Sequence, residues 1–123
     1  MKLYEVKEIL DAEVLSGEDR LDQEVFGACG ADLMSDVLAW KGDKGVLLTG
    51  LTNPQVVRTA EVVGDVKCIV FVRGKCPSPE TVELAKEAGI VLMRCKYPMF
   101  VACGLLFSRG LVPDEYGEIS RIL

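Results

Sequence analysis

Val46-Leu47-Leu48-Thr49-Gly50 is followed by Leu51-Thr52-Asn53-Pro54, and the same order returns at Lys67-Cys68-Ile69-Val70-Phe71-Val72-Arg73-Gly74 with Ser78-Pro79. In each case an apolar run stops at a glycine, and a capping residue with a proline then starts a helix. Asn53 suits the N-cap and Pro54 the first helical position, where its missing N–H costs nothing. Val56, Val57, Ala60 and Val63 then form one stripe, and Gly64 falls where helices end. The second round carries Val82, Leu84, Ala85 and Ala88 on its helix, which Gly89 closes. A third round has Ile90-Val91-Leu92-Met93 as its strand, a loop to Pro98, and a helix from Met99 to Ser108 ending at Gly110. Strands that are apolar on both faces and alternate with helices predict an α/β fold with a mostly parallel sheet in two or three layers.

The pattern is weaker upstream. Leu3, Val6, Ile9 and Leu10 have helical spacing, so a short amphipathic helix opens the chain. Glu13-Val14-Leu15-Ser16-Gly17 reads as a strand with a turn, followed by an exposed Gly17-Glu18-Asp19. Glu24 to Cys29 is a second strand candidate, weakened by its glycines. Ser35 or Asp32 is placed to cap a helix running through Trp40, with residues 41–45 as its exit turn. In the tail, from Pro113, Ile119 and Leu123 are expected against the body or a partner.

Composition narrows the function. With 123 residues, residues 1–123 are read as a single domain large enough to bury a core. The net charge of −5 and the lack of any Lys/Arg run argue against nucleic acid. No apolar signal region or membrane-length stretch occurs, so the expected location is cytoplasmic. Histidine is absent, which removes the commonest general base and metal ligand. An enzyme would have to work through Asp, Glu, Lys or Cys, and no acid–base pair can be located from spacing.

Parallel strands deliver all their following loops to one edge, where helix N-termini present N–H groups and positive dipole ends. Gly50, Thr52, Asn53, Arg73, Gly74, Lys75, Ser78 and Lys96 are therefore the candidate ligand-binding residues, with Arg94 adding charge. A small anion, a nucleotide or an acidic peptide suits such an edge. No P-loop or G-x-G-x-x-G pattern is present, and the same residues would also serve simply to start helices.

The five cysteines form no C-x-x-C pair. Cys68 and Cys103 read as core fillers. Cys76 and Cys95 each precede a helix start, which would lower a thiol's pKa, and Cys29 is placed to reach the same edge. Converging, those three would make a redox or metal site, with an iron–sulfur cluster as the alternative to no cofactor. The segment Met99 to Phe107 has almost no polar face, so a homodimer contact through residues 99–107 is expected, or else cover from the first helix and the tail.

From Glu13 to Gly110 the chain resembles a DRTGG-type domain. The resemblance rests on Glu13-Val14-Leu15-Ser16-Gly17, Ala31-Asp32-Leu33-Met34-Ser35-Asp36-Val37-Leu38-Ala39, and Val70-Phe71-Val72-Arg73-Gly74 with Pro79-Glu80-Thr81-Val82-Glu83-Leu84-Ala85. Relatives accompany CBS pairs and some phosphate acetyltransferases, and a related form begins HPr kinase. The Asp-Leu-Met-Ser-Asp-Val-Leu run is similar to small stand-alone members found beside iron-only hydrogenase genes, some labelled iron–sulfur-binding. The resemblance implies an HPr kinase N-terminal-domain-like sheet, dimerisation, and a non-enzymatic ligand-sensing or scaffolding role with a hydrogenase or redox partner. Three of the family's polar positions differ: Gly50-Leu51-Thr52 stands for Gly-Asp-Arg, Val72-Arg73-Gly74 for Thr-Gly-Gly, and Pro98-Met99 for Asp-Thr. Only Gly50 and Gly74 carry over.

Overall fold

The computed structural model describes residues 1–39 and 45–112. In chain order the elements are α1 (Leu3–Ile9), β1 (Glu13–Ser16), a 3-10 turn (Glu18–Arg20), β2 (Ala28–Gly30), α2 (Met34–Ala39), β3 (Val46–Thr49), α3 (Pro54–Val63), β4 (Cys68–Phe71), α4 (Pro79–Ala88), β5 (Val91–Arg94) and α5 (Met99–Ser108). The strands form one sheet in the order β1-β5-β4-β3-β2. β2 through β5 are parallel, and β1 lies antiparallel on β5 with a bulge between Val14 and Ser16. The mostly parallel α/β sheet expected from the repeats is therefore present.

Alternation along the strands divides the interior in two. Val46, Leu48, Cys68, Val70, Val91 and Met93 face one side, where Leu3, Val6 and Leu10 of the first helical segment and Ala102 and Leu106 of α5 cover them. Leu47, Ile69, Phe71 and Leu92 face the other, under Val37 of α2, Val56, Val57 and Ala60 of α3, and Ala85 of α4. The result is three layers. Each fully buried Leu, Val or Phe contributes about 1.5–3 kcal/mol, so the continuous apolar strands dominate stability.

The parallel strands run through the sheet in sequence order without reversing. Ligand crevices in doubly wound sheets open where strand order reverses. Here the C-terminal ends of β2 to β5 form an unbroken rim, so any site on it depends on the turns themselves.

Local signals predict the helices of the first two rounds well. Asn53 Oδ1 accepts from Gln55 N–H at the start of α3, Ser78 Oγ accepts from Thr81 N–H at the start of α4, and both helices end in left-handed glycines, Gly64 and Gly89. Three expectations need correction. β2 is only Ala28–Gly30, because Glu24 and Val25 pair with the N-terminal residues instead, through a Lys2–Glu24 bridge and a Val25 N–H to Met1 carbonyl bond. β5 starts at Val91 rather than Ile90. Ser35 lies inside α2, so it is not a cap. Trp40, the exit turn over residues 41–44 and the tail from Pro113 lie outside the described residues.

Candidate functional site

The turn after β4 is the unusual part of the rim. Arg73 has φ 58° and Gly74 φ 68°, and Lys75 N–H donates to the Val72 carbonyl at 3.2 Å, closing a two-residue turn of the I′ kind. Glycine takes this left-handed conformation freely, but an L side chain there costs about 1–2 kcal/mol. Neighbouring loops hold the turn in place. Arg73 N–H donates to the Tyr97 carbonyl and Gly74 N–H to the Cys95 carbonyl, both at 2.8 Å, which ties the turn to the loop after β5.

This conformation carries the Arg73 guanidinium over Gly50. A Cβ on Gly50 would meet Arg73 Nη2 at 3.3 Å and Asp32 Oδ1 at 3.5 Å, so a bare glycine lets the cation and the carboxylate share its surface. Asp32 Oδ1 accepts from Gly50 N–H at 2.7 Å and from Thr49 Oγ at 3.2 Å. Thr49 is fully buried, and its own oxygen accepts from Leu51 N–H at 3.1 Å. That second bond turns the hydroxyl proton toward Asp32. Two donors converge on one oxygen, with a guanidinium alongside.

The other predicted residues divide by what they already hold. Asn53 and Ser78 use their side-chain oxygens as helix caps. The Thr52 carbonyl accepts from Thr81 Oγ at 2.8 Å and from Ser78 N–H at 3.4 Å, which joins two loops. Arg73, Gly74, Lys75 and Lys96 are exposed, and none of the three cations forms a salt bridge among the described residues. Arg94 is engaged: it bonds Glu13 Oε2 at 2.7 Å and also contacts Cys76 Sγ. The Cys76 sulfur first, and then the Glu13 carboxylate, push the Arg94 guanidinium above its ordinary pKa.

The expected convergence of Cys29, Cys76 and Cys95 does not occur. Cys29 packs into the core on the α2–α4 side of the sheet, Cys95 is buried in the core on the opposite side, and Cys76 is exposed on the turn. Burial raises the Cys95 pKa, and its bond to the Tyr97 carbonyl offsets this only partly, so it is not an activated thiol. Among the described residues no group of three Cys, Asp or Glu side chains could hold a metal ion. Cys68 is core as expected, while Cys103 is half-buried with its sulfur against Gly30.

Asp32 and Thr49 are the site residues that residue-by-residue reading misses. In the sequence Asp32 reads, with Ser35, as a candidate cap for α2. Its partner lies 18 residues away and is a main-chain N–H, which leaves no sequence signature. The one available hint is a carboxylate two residues after a β-strand in the first parallel unit.

No protein-family model matches the chain, and no curated protein matches it. Among solved structures, the chain is similar to the CBS and DRTGG domains of the regulatory region of Clostridium perfringens pyrophosphatase, determined with its activator diadenosine tetraphosphate. The TM-score is 0.64 at 18% identity, over 94% of this chain and 49% of that one. The chain thus spans about half the length of that region. The likeness shows a DRTGG-like α/β fold. No helix among the described residues is long and apolar enough to cross a membrane.

Proposed function

We propose that this protein is a non-enzymatic regulatory or accessory module that senses a small phosphate-bearing anion on the rim formed by the turns after β3, β4 and β5. One observation carries the reading: Arg73 sits in a costly left-handed conformation that holds its guanidinium over Gly50, on a rim where the exposed Lys75 and Lys96 form no salt bridge among the described residues. Strain of this kind persists where the surroundings impose it, and it clusters at binding sites. Phosphoryl oxygens suit a guanidinium supplemented by main-chain N–H groups. The polyphosphate activator of the pyrophosphatase region supports the same ligand class.

Titration calorimetry with diadenosine tetraphosphate and ATP tests this. The wild type should bind at least one of them, and the triple variant Arg73→Ala, Lys75→Ala, Lys96→Ala should lose at least about tenfold in affinity, the equivalent of one charge-assisted bond. Unchanged affinity in the triple variant would sink the reading.

The module acts as a homodimer through α5, whose Phe100 is 89% exposed in the single chain. The likeness of residues 31–39 to stand-alone proteins encoded beside iron-only hydrogenases makes a hydrogenase or redox protein the first partner to seek by affinity capture. An iron–sulfur role has lost its proposed ligand set, since the three thiols stand apart.

A further inference from the structure

We infer that Asp32 occupies the seat of the ligand's anionic oxygen, so that the rim is held in a self-occupied state from which the ligand must displace a carboxylate of the chain itself. This rests on the rim reading given above and names the regulation of that site. The seat has two donors to Asp32 Oδ1, Gly50 N–H at 2.7 Å and Thr49 Oγ at 3.2 Å, and the Arg73 guanidinium stands over the same open face of Gly50 without forming a salt bridge to the carboxylate. The donors are prepared independently of their occupant. Leu51 N–H fixes the rotation of the Thr49 hydroxyl, which is itself fully buried. The Arg73 backbone is held by its bond to the Tyr97 carbonyl, a contact in which Asp32 takes no part. Such an arrangement accepts any anionic oxygen, and a carboxylate is the one the chain supplies.

Asp32 is also an exposed residue on the loop between β2 and α2, whereas the donors belong to β3 and to the β4 turn. Its removal therefore leaves the seat standing. A phosphoryl group entering the seat meets two costs while Asp32 is present: the lost bonds and the repulsion between like charges. Without that carboxylate both disappear.

The test is calorimetric titration of inorganic pyrophosphate into the wild type, Asp32→Asn, Asp32→Ala, and Asp32→Asn combined with Arg73→Ala. Asp32→Asn keeps the shape and removes the charge, while Asp32→Ala also clears the space. Urea melts identify any variant that fails to fold. Both single variants should bind pyrophosphate about tenfold or more tightly than the wild type, and adding Arg73→Ala should abolish the gain. If the Asp32 variants bind no better than the wild type while Arg73→Ala still weakens binding, the self-occupied seat is wrong and the rim reading stands. If neither the wild type nor any Asp32 variant binds pyrophosphate, the rim reading falls, and this inference with it.

Discussion

At the scale of single residues, Arg73 separates stability from function. Its left-handed backbone costs about 1–2 kcal/mol, whereas a glycine there would give back about 0.5–1 kcal/mol through the entropy of the unfolded chain. Arg73→Gly should therefore hold or raise stability by up to about 1 kcal/mol in urea denaturation while losing anion binding. A loss of stability beyond that would mean the side chain has a structural role. The buried thiols set a pH limit. Burial raises Cys68 far above its ordinary 9.0, and burial likewise raises Cys95 and Cys103. The folded state keeps these protons while the unfolded state releases them, so stability is full below pH 9 and falls as pH rises further. Each such proton steepens the decline by up to about 1.4 kcal/mol per pH unit. Cys68→Val should flatten that alkaline limb relative to wild type, and equal slopes in the two proteins would refute the assignment.

At the scale of elements, the capping residues behave as the sequence suggests. Asn53→Ala and Ser78→Ala should each cost about 1 kcal/mol of stability by losing an N-cap bond. Neither should change affinity for a polyphosphate by more than about twofold, which calorimetry on the two variants checks, because their oxygens are committed to α3 and α4. These units were legible because cap, proline, stripe and closing glycine are all written within a dozen residues. The direction of β1 was not, since the antiparallel pairing of Glu13 with Arg94 joins positions 81 apart and nothing local encodes it. The shortness of β2 was half legible in Gly27 and Gly30, but the competing pairing with the N-terminus was hidden. The left-handed Arg73 was invisible for a different reason: side-chain propensity opposes it, and bonds to the Tyr97 and Cys95 carbonyls of another loop help to hold it. The rim could thus be read from the repeats, and its chemistry could not.

At the scale of the whole molecule, α5 is the surface without a matching interior. It is apolar nearly all round, yet only Ala102 and Leu106 are buried within the chain, and Phe100 stands 89% exposed. The proposed homodimer covers this face, so light scattering should give twice the chain mass at micromolar concentration. Phe100→Glu should weaken association at least about tenfold, since it places a charge where an aromatic anchor sat. A wild-type monomer under those conditions would remove the dimer. The sheet itself has a last consequence. β2 is the outermost parallel strand and the shortest, with three residues, and Asp32 follows it after a single linking residue whose N–H bonds the Leu48 carbonyl. Fraying at that margin lifts Asp32 away from Gly50 together with the strand, so peeling of the sheet's border and vacating of the anion position are one motion. Hydrogen–deuterium exchange at Ala31 would time both.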